Sequence, residues 1–437
     1  MMVHMTRLKQ LLLFATSVSA KWIVPGARWR DTDGNLVNAH AGGVTIDQNT
    51  GKFYLFGEYK VQGQVEGGGV SVYSSDDLAT WTHHGLAQSD NIAGPYSFVD
   101  ATAPLGNWSQ DFGLFVDHKD GSAYSLYSNG DWKDGRDVYI TSFNKNITGL
   151  DAVVHRFDKF DLEAPAIIQT DKSYFALMSH KTGYRPNNVV AFRADKLSGP
   201  WSQPFIIAPL NTRTYNSQSG NSLRIKGTEQ TTYLYLGDQW DSVSLWESRC
   251  IWLPMEIDEE KKSLKLQWHD VYDLNVKTGK VTPITGTTYY GKDATTTGNA
   301  FKQEATFGSH GIIVTGIYGN DSKVSFSGIE GQGKPQWVSF YYQNTDDMGF
   351  GDQAKGAPDR INGTWQMRRI SSVIVNNKTD EVTTLYQRDT HKGIILSTPL
   401  LLDLKKGKNV ITIGGLFNKQ DVKGADIDRL VVYPPEE

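Results

Sequence analysis

Cysteine is almost missing from this chain. Cys250 is the only one in 437 residues, so no intrachain disulfide is possible. Flanked by Arg249 and by Ile251-Trp252-Leu253, it reads as a buried apolar residue rather than a nucleophile. Charge of one sign is missing too. The balance of 44 Lys and Arg against 48 Asp and Glu leaves a net charge of −4, and no basic run stands out. Nothing electrostatic therefore favours nucleic acid or an anionic membrane as partner. Beyond the N-terminus no apolar run is long enough to span a bilayer. The end, Val431-Val432-Tyr433-Pro434-Pro435-Glu436-Glu437, is not a lipid-anchor tail. Convincing helical periodicity is absent between about Asn38 and Trp268.

Aromatics and glycine are plentiful. The 12 Trp, 20 Tyr, 18 Phe and 43 Gly favour β-structure with many tight turns. The length admits two or three domains. Residues 1–20 read as a signal peptide: Arg7 and Lys9 precede the apolar Leu11 to Phe14, and Val18-Ser19-Ala20 fits a cleavage site. The alternative is a buried first helix. Asn-x-Ser/Thr sequons begin at Asn107, Asn146, Asn320, Asn362 and Asn377. With the signal peptide they predict a secreted, extracellular glycoprotein.

One unit recurs: an apolar strand, a polar turn, then an aromatic-rich strand. Its copies lead to Phe53-Tyr54-Leu55-Phe56, Ala123-Tyr124-Ser125-Leu126, Tyr174-Phe175-Ala176-Leu177 and Tyr233-Leu234-Tyr235-Leu236. Repetition on the order of 40–60 residues is the scale of a propeller blade. The step from Tyr54 to Tyr124 is too long for one repeat and too short for two. It contains two strand-ending marks almost back to back, Ser74-Ser75-Asp76-Asp77-Leu78 with Trp81, and Ile92-Ala93-Gly94-Pro95-Tyr96. The second mark recurs as Leu197-Ser198-Gly199-Pro200-Trp201. Most of one repeat is thus expected to be missing. The fold class predicted is all-β: a five-bladed β-propeller with one blade incomplete, followed by a β-sandwich. A single β-sandwich of loosely similar hairpins is the alternative for the first part. The boundaries expected are 21–283 for the propeller, 284–300 for a Thr/Gly-rich linker and 301–437 for the sandwich.

Three polar residues share one phase of the repeat. Asp111, Glu163 and Gln218 each sit where a blade's first strand opens, and such positions converge at one end of a propeller. Two acids meeting there repel as anions. One pKa then rises, leaving a carboxylic acid able to protonate a leaving oxygen. Taken singly, each is equally a solvated turn residue or a cap.

The stretches Ala39-His40-Ala41-Gly42-Gly43, Phe56-Gly57-Glu58, Ser109-Gln110-Asp111-Phe112-Gly113, Glu163-Ala164-Pro165-Ala166, His180-Lys181-Thr182-Gly183-Tyr184, Tyr215-Asn216-Ser217-Gln218 and Gly237-Asp238-Gln239-Trp240 carry a family resemblance. Residues 22–285 resemble glycoside hydrolase family 43, and within it the fungal exo-β-1,3-galactanases (subfamily 24). The resemblance implies that Glu163 is the general acid and that Asp111 tunes it. Gln218 matches the glutamine that stands in place of a blade-one base aspartate, which is absent from Asn38 to Gly43. An amide is a poor base, so a tautomer or the positioning of water must be invoked. The implied outcome is inversion. Glu58 and Thr182 match sugar-contacting positions. Tyr184 and Trp240 suit stacking on a pyranose, and His40 and His180 suit hydrogen bonds near the pocket. Burial is the commoner explanation for each of these aromatics, and a structural role explains each histidine at least as well. The family's second blade has no counterpart between Trp81 and Ile92, as a lost exon, a coding stretch taken for intron, or a natural truncation would leave it.

The C-terminal region resembles carbohydrate-binding modules of family 35, or the related family 6, through Gln303-Glu304-Ala305-Thr306-Phe307, Lys408 to Ile413, and the ending with Asp426 and Asp428. That resemblance implies a structural Ca²⁺, with Gln303, Glu304 and Asp428 as candidate ligands. No cofactor is expected for catalysis. The partner implied is plant cell-wall β-1,3-galactan or arabinogalactan, met by a monomer. Another family 43 activity on arabinan or xylan side chains, and a sugar-binding protein without catalysis, remain the alternatives.

Overall fold

The computed structural model describes residues 22–64, 67–86, 103–130, 135–242, 244–345 and 368–436. The signal peptide, the Ile92–Tyr96 mark and the Asn362 sequon lie outside the described residues.

Four antiparallel meanders follow one another. The first is β1 (His40–Ile46), β2 (Phe53–Lys60), β3 (Gly67–Ser75) and β4 (Thr82–Leu86). The second is β5 (Asp111–Val116), β6 (Ala123–Ser128), β7 (Val138–Phe143) and β8 (Leu150–Phe157). The third is β9 (Leu162–Gln169), β10 (Tyr174–His180), β11 (Val189–Ala194) and β12 (Phe205–Ile206). The fourth is β13 (Gln218–Lys226), β14 (Thr231–Gln239), β15 (Arg249–Asp258) and β16 (Ser263–Leu266). A hairpin of β17 (Tyr272–Asn275) and β18 (Lys280–Pro283) closes the run, and Ile23 bridges to Tyr272. One turn recurs at Asp47–Gly51, Asp117–Gly121 and Asn275–Gly279. In each, the first side chain accepts the amide two residues on, and the closing glycine takes a positive φ of 74°, 76° and 80°.

The first strands stand side by side, β5 on β9, β9 on β13 and β13 on β1. Apolar cores fill the spaces between these sheets. Leu126, Ile140 and Phe157 meet Ile167 and Phe192. Ala166, Phe175 and Leu177 meet Tyr235, Ile251 and Leu253. Leu55, Tyr73 and Trp81 meet Leu223, Leu234, Trp252 and the buried Cys250. No core cluster joins the first sheet to the second among the described residues. The burial pattern records that difference. β9 to β11 are buried on both faces, whereas β5 alternates. Phe115 packs inward, while Phe112, Leu114 and Val116 are 57%, 59% and 60% exposed. Strong alternation of this kind marks a strand with one face covered.

The C-terminal part adds β19 (Thr287–Tyr290), β20 (Thr295–Thr296), β21 (Phe301–Glu304), β22 (Ile312–Thr315), β23 (Gly319–Gly331), β24 (Pro335–Gln343), β25 (Arg368–Val375), β26 (Val382–Arg388), β27 (Leu396–Asp403), β28 (Gly407–Phe417), β29 (Gln420–Asp421) and β30 (Asp426–Val432). One sheet runs β21-β22-β30-β24-β27 with β19 on β30. The other runs β20-β23-β28-β25-β26 with β29 on β28. They enclose one core that includes Phe326, Phe340, Ile411, Ile413 and Leu430. The stretch 284–300, expected as a linker, departs from that reading. Thr287–Tyr290 pairs with Arg429–Val432, and Thr295–Thr296 with Val324–Ser325. Its threonines and tyrosines suit a pleated surface, and Tyr289 packs on the core. The two parts meet directly. Asp270, following the fourth sheet, accepts the Tyr341 and Tyr433 hydroxyls at 2.5 and 2.6 Å and the Ser397 hydroxyl at 2.8 Å.

Candidate active site

A cleft of about 710 Å³ opens where the first strands begin. That volume suits a small ligand. Antiparallel meanders bring two kinds of segment to this end: the start of each first strand, and the connection from second strand to third. Asp111, Glu163 and Gln218 come from the former. Lys60, Arg136, Thr182, Tyr184, Asp238 and Trp240 come from the latter.

The three residues chosen from the repeat phase do converge. Arg136 Nη1 contacts Glu163 Oε2 and lies 3.5 Å from Asp111 Oδ2, so the two carboxylates stand side by side over one guanidinium. Gln218 Nε2 donates to Glu163 Oε1 at 2.8 Å. Trp240 Nε1 donates to Gln218 Oε1, also at 2.8 Å. An indole N–H only donates, so the atom facing it must be the amide oxygen, and the amide NH₂ must face Glu163. Gln218 therefore has one orientation here.

Burial pushes the Glu163 carboxyl up to about 7, and the Asp111 charge adds to the rise. The cation of Arg136 and the Gln218 hydrogen bond oppose it. A carboxyl held there is half protonated near neutrality, as a general acid requires.

The backbone around these groups is strained. Ala164, beside Glu163, has φ +53°, and Ala41 has φ +48°. Left-handed backbone costs a non-glycine residue roughly 1–2 kcal/mol. Each alanine amide is held by a carboxylate: Ala164 N–H donates to Asp111 at 3.0 Å and Ala41 N–H to Asp238 at 2.8 Å. Register shifts occur at this end of β1 and β13, and in β10 opposite Glu163. Such bulges re-aim side chains next to a site. Gly57 marks a close approach, since a Cβ there would lie 2.4 Å from the Ala39 carbonyl carbon. The next residue, Glu58, consequently reaches the cleft.

The other sequence candidates divide. Glu58, Thr182, Tyr184 and Trp240 line the cleft, but His40 does not. His40 is 1% exposed and bonds Asp238 at 3.2 Å, so it supports the wall from behind. His180 bonds the Asn188 carbonyl through Nδ1. Trp240 is 5% exposed, with the edge-on Tyr184 ring 5.6 Å away, so its chief contact with the site is through its N–H. Lys60 stands 5.7 Å from the Trp240 ring centre and 2.7 Å from Glu58 Oε2. Arg136, Lys60, Lys181, Asp161 and Asp238 were not singled out from the sequence. All line the cleft, and Lys181 pairs with Asp161 at 2.5 Å. The signal that finds most of them is position: they follow a second strand or precede a third.

The proposed calcium ligands do not assemble. Gln303 and Glu304 are exposed on β21, and Asp428 is buried on β30. With β22 between them, the strands are about 10 Å apart. The Asp428 carboxylate is already engaged by Ser309 N–H and Oγ at 2.6 and 2.8 Å and by the Arg429 guanidinium. A cation there would displace a fixed positive charge. Among the described residues no group of three or more His, Cys, Asp or Glu is placed to hold a metal.

No family model matches the chain, and neither does any curated relative. Solved structures do. An exo-β-1,3-galactanase from Phanerochaete chrysosporium, with galactose, is 26% identical at a TM-score of 0.80, covering 94% of this chain and 100% of that one. A glutamate-to-glutamine variant of that enzyme, with β-1,3-galactotriose, gives 26% identity and 0.81 over the same shares. A β-1,3-galactosidase of glycoside hydrolase family 43, with galactodeoxynojirimycin, is 26% identical at 0.52, covering 57% of this chain and 99% of its own. The chain is thus similar to family 43 galactanases and galactosidases, and the likeness supports a glycoside hydrolase with the propeller fold of those neighbours.

Proposed function

We propose that the chain is a secreted, monomeric glycoside hydrolase that releases galactose from the end of β-1,3-galactan with inversion. The observation that carries this reading is the Glu163 carboxyl, held near 7 between Arg136 and Gln218 and beside Asp111. Its fold is a propeller of five blades with one incomplete, followed by a β-sandwich that binds carbohydrate. In the reaction, protonated Glu163 gives its proton to the glycosidic oxygen as the bond from that oxygen to C1 breaks. A water on the opposite face of the sugar forms the new bond to C1. Gln218 Oε1 keeps a second lone pair besides the one taken by Trp240, and with it accepts a hydrogen from that water. The amide orients the water, whose proton passes on to solvent. Asp111, beside Glu163, adds to the rise that keeps the Glu163 proton in place until the leaving oxygen takes it. Glu58, Thr182 and Tyr184 contact the sugar, and no cofactor takes part.

A second reading is a galactan-binding protein without hydrolysis. The uncovered face of β5 favours it, because Phe112 on that face also lines the cleft. Release of galactose from linear β-1,3-galactan by the folded chain decides between them. Release that vanishes in Glu163→Gln supports hydrolysis. Binding without release supports the second reading.

A further inference from the structure

The active-site end of the first part is clasped from below by two consecutive residues of the C-terminal part, Arg388 and Asp389. Asp389 follows β26 and is fully buried. Its Oδ2 accepts from Arg213 Nη1 at 2.7 Å and from Arg185 Nε and Nη2 at 3.1 and 3.0 Å. Its carbonyl accepts from Arg213 Nη2 at 2.7 Å and Asn216 Nδ2 at 3.3 Å. Arg388 donates to Gln239 Oε1 at 2.8 Å and to the Glu247 carbonyl at 3.0 Å.

Two of the gripped residues adjoin a cleft residue. Arg185 follows Tyr184, and Gln239 precedes Trp240. Arg213 opens the segment that ends at Gln218. That segment is the least relaxed backbone in the region: Arg213, Thr214, Tyr215 and Asn216 have φ of +52°, +53°, +57° and +56°. A left-handed turn of four non-glycine residues persists only where its surroundings hold it. Asp389 bonds both of its ends.

We infer that Arg388-Asp389 is a positioning clasp, through which the C-terminal part fixes the left-handed turn before Gln218 and the loop bearing Tyr184. The C-terminal part is then a component of the hydrolytic site, not only a sugar-binding appendage. This rests on the hydrolase reading for its kinetic consequence alone.

The test compares Asp389→Asn with Asp270→Asn in the full chain. Both remove a buried carboxylate between the two parts, but Asp270 bonds none of the cleft segments and reaches 211–218 only through Trp268, whose ring lies 5.4 Å from that of Tyr215. Hydrogen exchange of peptides spanning 211–218 and 181–185 is followed by mass spectrometry, beside kcat and KM on β-1,3-galactan. The clasp requires faster exchange in both peptides for Asp389→Asn only. It also requires a fall in kcat approaching 100-fold, the cost of about 1 Å of misplacement. Arg185→Lys keeps the charge but loses the two-pronged contact, and speeds exchange in 181–185 alone. It serves as the test if Asp389→Asn does not fold. Wild-type exchange in a folded Asp389→Asn or Arg185→Lys chain, or equal changes in Asp270→Asn, overturns the clasp. If the unmodified chain releases no galactose, the hydrolase reading fails while the exchange comparison still decides the clasp.

Discussion

Replacing Glu163 with glutamine should change stability in a pH-dependent way, because this carboxyl titrates near 7 rather than near 4.5. A folded-state pKa raised above the unfolded value means the folded chain holds the proton longer. The group's contribution to stability is complete below about 4.5 and is lost as pH climbs through about 7. A rise of about 2.5 units corresponds to ~3 kcal/mol. Glu163 is only 9% exposed, so solvent screening takes little from that figure. Glutamine keeps the size and a hydrogen-bonding oxygen but does not titrate. Urea unfolding of both proteins from pH 4 to pH 8 gives the difference, since the titrations of groups away from this site cancel. Wild type should lose ~3 kcal/mol relative to Glu163→Gln across that range, most of it between pH 4.5 and pH 7. On the proposed mechanism the same proton governs catalysis. On galactan, kcat/KM should decline about tenfold per unit above pH 7, where the acid is spent. A stability difference that stays flat, or an alkaline limb near pH 4.5, would refute the claim that burial raises this group.

Three other substitutions probe the neighbours. Arg136→Met removes the cation that opposes the rise. The alkaline limb should move up by about one unit, and unfolding should come about 3 kcal/mol sooner with two carboxylates left facing each other. Trp240→Phe keeps the ring but loses the N–H that orients Gln218. Steady-state kinetics should show kcat down about tenfold with KM within about twofold, the scale of one hydrogen bond. Leu114→Thr changes a side chain on the uncovered face of β5, so its denaturation midpoint should match a loss below about 0.5 kcal/mol. A loss of 2 kcal/mol or more would mean that the face is packed.

The sequence showed the β-repeats because each meander carries the same apolar strand, polar turn and aromatic strand. It showed Asp111, Glu163 and Gln218 because each occupies the same position in that repeat. Arg136 escaped because it precedes a third strand, in a segment with no shared motif. Its role emerges only when antiparallel pairing returns that segment to the cleft. The 284–300 stretch departs from its composition for a related reason. Threonine and glycine mark loops by composition, yet here β-branched residues pair with a strand more than a hundred positions away. His40 stood in the right motif but faces backwards, because the bulge after it turns the chain about Ala41. The left-handed turn at Arg213–Asn216 carries no glycine and so left no trace in the pattern.

The placement of the uncovered face bears on how the chain should function. The trio Asp111, Glu163 and Gln218 is carried by β5, β9 and β13, which pack on one another with cores filling the spaces between their sheets. The ionic contacts that tune Glu163 lie wholly on that side. Glu58 and Ala41 come instead from the first sheet, which shares a core with the fourth sheet but, among the described residues, none with the second. On the proposal that one blade is incomplete there, its loss removes walls that would hold sugar but leaves Glu163, Arg136 and Gln218 where they are. The cost should therefore fall on binding. Galactan hydrolysis by this chain should show a KM well above that of the Phanerochaete chrysosporium enzyme with a comparable kcat. An ordinary KM with a collapsed kcat would instead locate the defect in the trio, and in the turn and bulges that aim it.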